Sequence, residues 1–365
     1  MLHRWAVLRR TLTLAALLVG CGAEAEDPPP PAPHRDAPLA ADVAAGAEVY
    51  QRYCALCHGE HGEGYLADNA PAITNDAFLR VASDEFLTRA ITEGHPGTPM
   101  AAFGQAQGGP LLPEEVERLV VFLRSEGPEP IDVSRTRVLG DAARGSAVYA
   151  ESCASCHGAS GEGLNAPTLA HPVFQSSATV GFLRETIARG REGTPMPAFQ
   201  GTLSSQAIDD VVAHVRALAP IGVPAPPVAD GPPPPDFDHL ILHPEGEAPS
   251  FTVREDRFVP GAEVRRALDE HRRIVLLDAR PTSAWAEGHI PGAAPFPYYS
   301  IEELASHLPD DGTYIIAYCA CPHAASGHVV DELRRRDFEH AYILDEGIGW
   351  WQAQGHPVEH GAPAP

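Results

Sequence analysis

The 365-residue chain contains no lysine. All 26 of its basic residues are arginine, against 49 acidic ones, for a formal charge of −23. With abundant Ala, Pro and Gly, the missing lysine reads as a compositional bias of the source genome. The shortage of positive charge excludes nucleic acid as a partner and argues against an anionic membrane surface. An acidic surface would suit docking to a basic protein, although plain solvation explains it without one. Cysteine is scarce. The seven fall as Cys21, then Cys54 and Cys57, Cys153 and Cys156, and Cys319 and Cys321. That grouping excludes a disulfide scaffold and marks cysteines that carry chemistry. Methionine is scarcer: after Met1 there are only Met100 and Met196. The apolar run Thr11 to Val19 is too short to span a membrane. Proline, by contrast, is plentiful at 37 residues and predicts linkers. The length predicts two or three domains, and 44% hydrophobic residues allow each a core.

Cys54-Ala55-Leu56-Cys57-His58 returns as Cys153-Ala154-Ser155-Cys156-His157. C-x-x-C-H is the pattern of covalent c-type haem attachment. Two thiols at this spacing reach the two vinyl groups of one porphyrin, and the adjoining histidine lies under the iron. One copy alone could be a zinc half-site or a redox dithiol, but the repeat extends well beyond the cysteines. Gly46-x-x-Val49-Tyr50 matches Gly145-x-x-Val148-Tyr149, and Gly62-Glu63-Gly64 matches Gly161-Glu162-Gly163. Asn69-Ala70-Pro71 matches Asn165-Ala166-Pro167; Phe86-Leu87 and Ile91 match Phe182-Leu183 and Ile187. Gly97-Thr98-Pro99-Met100 matches Gly193-Thr194-Pro195-Met196. Val116, Leu119, Val120 and Leu123 match Ile208, Val211, Val212 and Val215, with the 3.6-residue stripe of an amphipathic helix.

In its order of helix, cysteines, loop, helix, methionine loop and closing helix, each repeat resembles class I cytochrome c. The resemblance implies two small all-α domains, each wrapped on a covalently bound haem c with histidine on one side of the iron and methionine on the other. The axial pairs are then His58 with Met100 and His157 with Met196, and the attachment residues Cys54, Cys57, Cys153 and Cys156. The scarcity of methionine supports the assignment independently, because the only two in the mature chain occupy matching places. His95 is the alternative ligand for the first haem. His61 and His95 correspond to Ser160 and Arg191, so neither belongs to chemistry shared by the repeats. Six-coordinate iron passes single electrons and does not readily bind substrate.

Two flanking segments complete the reading. At the N-terminus, Arg4, Arg9 and Arg10 precede the short apolar run, and Leu18-Val19-Gly20-Cys21 resembles the lipobox of bacterial lipoproteins. The resemblance implies export, cleavage before Cys21 and lipidation of Cys21, anchoring the protein to the periplasmic side of a bacterial membrane. At the C-terminus, Ile274 to Ala279, Tyr314 to Tyr318 and Ala341 to Leu344 read as buried strands between helical patterns at 262–270, 301–307 and 327–336, which predicts a parallel α/β sheet. Asp278-Ala279-Arg280, Trp285-Ala286-Glu287-Gly288-His289-Ile290-Pro291-Gly292-Ala293 and the ending Gly347-x-x-x-Trp351 with Gly355 to Glu359 resemble the rhodanese domain. That family's catalytic cysteine ends the central strand, where loop amides and a helix N-terminus converge on the sulfur; Cys319 occupies the place. The loop departs from the family's Cys-x-x-Gly-x-Arg. It reads Cys319-Ala320-Cys321-Pro322-His323-Ala324, which loses an amide donor and the arginine that would bind a sulfur oxyanion. Three uses stay open: Cys319 as a persulfide with Cys321 as resolving thiol; Cys319, Cys321 and His323 around a soft metal such as copper; or an inactive binding module.

The expectation is therefore a multidomain chain: signal peptide 1–20, Pro-rich linker 21–41, cytochrome c domain 42–127, linker 128–140, cytochrome c domain 141–219, Pro-rich linker 220–249 and rhodanese-like domain 250–360. Its expected work is single-electron transfer through two haem c groups to redox partner proteins, with Cys319 carrying sulfane sulfur. In the alternative, the chain is a sulfur-oxidising enzyme whose haems accept electrons from a small sulfur compound.

Overall fold

In the computed structural model the described residues are 40–65, 70–221, 239–320 and 323–361. Cys21, with the expected signal and anchor, and Cys321 lie outside them. Among the described residues no helix is long and apolar enough to cross a membrane.

The first helical unit consists of α1 (Ala40–Tyr53), α2 (Ala55–His58), α3 (Asp76–Leu79), α4 (Asp84–Glu93) and α5 (Pro113–Ser125). The second repeats it as α6 (Ala142–Ser152), α7 (Ala154–His157), α8 (Pro172–Ser177), α9 (Val180–Arg189) and α10 (Ser205–Arg216). Local chemistry sets the starts. Ser83 and Thr179 each accept the N–H three residues on, at 3.1 Å, and so cap α4 and α9. Pro113 opens α5, where its missing N–H costs nothing. The stripe Val116, Leu119, Val120 and Leu123 is buried, each side chain contributing about 1.5–3 kcal/mol.

The repeated Gly-x-x-Val-Tyr has a packing explanation. α1 crosses α5 at Gly46, where an added Cβ would lie 2.1 Å from the Arg118 carbonyl oxygen; α6 crosses α10 at Gly145, 1.9 Å from the Asp210 carbonyl oxygen by the same measure. Only glycine permits either crossing. One turn on, Tyr50 donates to the Gly59 carbonyl (2.6 Å) and Tyr149 to that of Gly158 (2.8 Å), tying the entry helix to the turn after each C-x-x-C-H.

The C-terminal unit is a six-stranded sheet ordered β1-β3-β5-β6-β2, with β4 pairing to β3. β3 (Ile274–Asp278), β5 (Tyr314–Tyr318) and β6 (Ala341–Leu344) are parallel; β2 (Phe258–Val259) joins β6 and β4 (Ala294–Pro295) joins β3 the same way. The sheet differs from the all-parallel expectation at one edge. β1 (Ile241–Leu242), inside the stretch expected to be linker, pairs antiparallel with β3. Two residues beside many prolines carry no readable period, and an edge strand needs only one neighbour. Helices α11 (Gly261–Asp269), α12 (Thr282–Glu287), α13 (Ile301–Leu304), α14 (Ala324–Arg335) and α15 (Gly347–Ala353) complete it. The buried β3 and β5 are apolar along their length because both faces are covered.

Candidate functional site

Each C-x-x-C-H forms a single helical turn, α2 or α7, entered from the long N-terminal helix of its unit. The His58 Nδ1 donates to the Pro71 carbonyl at 2.9 Å, and the His157 Nδ1 to that of Pro167 at 2.9 Å. A carbonyl can only accept, so each Nδ1 carries the proton and each Nε2 keeps its lone pair, the arrangement an iron ligand needs. The repeated Ala-Pro is thus the support of the histidine, a role its sequence did not announce. Burial holds both imidazoles below their ordinary pKa, in the neutral form. It also pushes the Cys54 thiol up to about 12 and that of Cys153 up to about 11, so neither is poised as a redox thiolate.

The methionine loops are built alike. The Thr98 hydroxyl donates to the His95 carbonyl (2.7 Å) and accepts the Met100 N–H (3.2 Å); Thr194 does the same between Arg191 (2.8 Å) and Met196 (3.2 Å). His95 and Arg191 each return a backbone N–H to the methionine carbonyl, at 2.7 and 2.9 Å. Met100 and Met196 are half-buried and pack on the helical core. The first crevice is a cavity of about 510 Å3 with apolar walls, which brings Cys54, Cys57, His58 and Met100 together. His95 also lines it, and its buried Nε2 has no hydrogen-bond partner among the described residues. Apolar walls, two thiols, an imidazole nitrogen and a thioether fit a covalently held haem.

The same cavity reaches further. Gly163 and Pro167, beside His157, line it, and so do Arg280, Cys319 and Ala320 of the C-terminal unit. No motif or spacing signals this convergence. It follows from tight docking of that unit on the first crevice. Ser283 and Thr282 donate to the carbonyls of Ala102 (2.5 Å) and Gly108 (2.7 Å), Tyr299 meets Tyr53 edge to face at 4.9 Å, and Leu56 of α2 packs on the C-terminal core.

Cys319 directly follows β5, is 2% exposed, and its sulfur lies 3.2 Å from the Ser326 hydroxyl of α14. Asp278 and Tyr318 pair in register on β3 and β5, so the buried Asp278–Arg280 ion pair (2.6 Å) adjoins it. His323, a ligand in the soft-metal reading, lies tilted against the Phe258 ring with centroids 4.5 Å apart, and its Nε2 meets the Asp345 carbonyl. The remaining motif residues are structural: the indole N–H of Trp285 donates to Ala293 (2.8 Å) and that of Trp351 to Pro357 (2.7 Å), while His289 and Glu359 pair through their backbones.

A family profile described as cytochrome C oxidase, cbb3-type, subunit III matches residues 41–123 and again 140–215, and a rhodanese-like domain profile matches 261–354. The chain is two cytochrome c domains followed by a rhodanese-like domain. Two cytochrome c domains imply haem c. The cbb3-type cytochrome c oxidase subunit FixP of Bradyrhizobium sp. (strain ORS 278) is 33% identical over 190 residues, 49% of this chain and 62% of that one. The cbb3-type cytochrome c oxidase subunit CcoP of Azospirillum sp. (strain B510) is 29% identical over 194 residues, 48% of this chain and 62% of that one. The chain thus spans about three-fifths of the length of these curated relatives. Among solved structures, the rhodanese-like domain of the Alr3790 protein from Anabaena sp. is 27% identical, covering 31% of this chain and 87% of that one, with a TM-score of 0.27.

Proposed function

We propose that the chain is an exported dihaem electron carrier fed by sulfur chemistry at Cys319. Cys54 and Cys57 would hold one haem c, with His58 and Met100 as the residues that would ligate its iron; Cys153 and Cys156 would hold the other, with His157 and Met196. When bound, a haem c with these ligands accepts and passes one electron at a time. The observation that carries the reading is that Cys319 and Met100 line one cavity, so a sulfur atom on Cys319 faces the first haem crevice rather than bulk water.

In the proposed step, hydrosulfide adds to Cys319 as a persulfide. One S–S bond forms, the Cys319 S–H bond breaks, and one proton and two electrons leave, a count matched by two single-electron sites. Ser326 is placed to hydrogen-bond the Cys319 sulfur, and Cys321 would resolve the persulfide by attacking the Cys319 sulfur, forming the disulfide, breaking the persulfide S–S bond and releasing hydrosulfide and a proton. The relatives' names assign them to cbb3-type cytochrome c oxidases; by that likeness, redox partner proteins take electrons from this chain. A lipid anchor at Cys21 would hold it at the periplasmic side of a membrane.

The test mixes the oxidised, haem-loaded protein anaerobically with sulfide or an organic persulfide. Reduction of the haem spectrum, together with 32 Da of added mass on the peptide holding Cys319 (one sulfur atom, ~32 Da), supports the reading. A Cys319→Ser variant that is reduced as fast as wild type would leave this domain a docking module. Fewer than two covalent haems per chain would sink the dihaem assignment.

A further inference from the structure

The two methionine loops are bound alike on their inner sides. Phe103 donates its backbone N–H to the Ile91 carbonyl at 3.0 Å, and Phe199 to that of Ile187 at 3.1 Å. Their outer sides differ. After Met100, Ala101 and Ala102 are each 2% exposed. After Met196, Pro197 and Ala198 are exposed. The cover on the first loop comes from the rhodanese-like domain. The hydroxyl of Ser283, itself 2% exposed, donates to the carbonyl of Ala102, two residues past the methionine. Beside it, the Thr282 hydroxyl donates to the Gly108 carbonyl.

The place where Thr282 lands has no counterpart in the second domain. Gly104 pairs with Leu111 across six intervening residues, whereas Gln200 pairs with Leu203 across two. The insertion makes a 3-10 turn, Gln105–Gln107, closed by Gly108 at a φ of 77°, which glycine adopts without strain. The second domain closes its methionine loop without such an insertion, so building the loop does not require one. What the insertion adds is an acceptor for a hydroxyl from another domain.

We propose that Thr282 and Ser283 are positioning residues for Met100: the docked rhodanese-like domain holds the first methionine loop closed on its iron, whereas Met196 relies on its own domain. The inference rests on the haem reading above. Opening the loop breaks one iron–thioether bond, and no proton or electron leaves the site. A competing base binds only where the loop is open, so its apparent affinity follows the open fraction. Histidine with methionine raises the potential of a haem. The docking that brings Cys319 to the cavity therefore also makes the first site the stronger electron acceptor, and one event readies donor and acceptor together.

Displacement by imidazole tests this on the oxidised, haem-loaded, full-length chain. Met196→Ala removes the second thioether, so the remaining thioether-to-iron charge-transfer band reports Met100 alone; Met100→Ala does the converse. In the Met196→Ala background, Ser283→Ala and Thr282→Val should each lower the imidazole concentration that halves the band by about fivefold, the effect of one lost hydrogen bond. Thr282→Ser keeps the hydroxyl and should hold the starting value. Deleting residues 105–108, which gives the first loop the length of the second, should act as Thr282→Val does. In the Met100→Ala background none of these changes should move the Met196 midpoint. The inference is overturned if the three changes shift the Met100 midpoint by less than about twofold, or if they shift the Met196 midpoint as much. The deletion leaves the rhodanese-like domain intact, so it decides alone should the buried Ser283→Ala fail to fold. A Met196→Ala protein with no thioether band would instead overturn the ligand assignment of Met100, and this inference with it.

Discussion

Replacing Arg280 by methionine should destabilise the rhodanese-like domain far more than the loss of a surface ion pair would. Asp278 ends β3 with no exposed side-chain surface. Its carboxylate accepts the Arg280 backbone N–H at 3.0 Å, Nε at 2.9 Å and a terminal nitrogen at 2.6 Å. The same guanidinium donates to the Gly288 carbonyl at 2.6 Å. Arg280→Met leaves the carboxylate buried without its cation, facing the Arg280 backbone N–H and the Tyr318 hydroxyl, and the Gly288 carbonyl without this donor. Stranding one partner of a buried pair costs about 3–5 kcal/mol. Replacing both partners, as Asp278→Leu with Arg280→Met, removes the stranded charge and should recover most of that loss. Guanidinium denaturation at neutral pH reads the effect. Trp285, Trp350 and Trp351 report on this domain, and haem absorption reports separately on the cytochrome c domains. A loss under about 1 kcal/mol for Arg280→Met would refute the reasoning, since that is the value of an exposed pair. A double variant no more stable than Arg280→Met would refute it too.

Two further outcomes follow from contacts elsewhere. Leu56→Glu puts a charge where α2 meets the C-terminal core; it should undock the rhodanese-like domain and enlarge the particle in small-angle scattering, with both haems retained. In the second cytochrome c domain, the side-chain hydrogen bond from Arg144 holds the Asp210 carboxyl well below the usual carboxylate range. Its stabilising effect is therefore complete above that range and disappears as pH falls through the depressed folded value. Arg144→Leu should melt earlier than wild type at neutral pH, with the two melting temperatures converging as the medium is acidified.

The repeats and strands were readable because their physics is local and periodic. Val116, Leu119, Val120 and Leu123 announce a helix face, and Ile274 to Leu277 a buried strand, whatever lies around them. Thr98 and Thr194 could be placed beside the methionines but not understood; only the loop geometry explains their hydroxyls. Pro71 and Pro167 contribute a carbonyl, which every residue has, so their part in holding His58 and His157 had no signature. β1 was hidden because two residues cannot show a period. The meeting of Cys319 with the first crevice was beyond the sequence altogether. It depends on Ser283 and Thr282 reaching carbonyls more than 170 positions away, and no spacing rule links such positions.

The seat of Leu56 also bears on how the molecule is assembled. In the proposed dihaem carrier the pentapeptide Cys54 to His58 must be bare when haem is attached, yet in the finished protein α14 and the C-terminal core lie against it. The covering domain comes last in the chain, so synthesis from the N-terminus leaves the first pentapeptide open until its cover emerges. Attachment then precedes docking, and the order of domains acts as a timetable. A permuted chain with the rhodanese-like domain placed first should load its second haem normally and its first poorly, as counted by the haem content of each peptide.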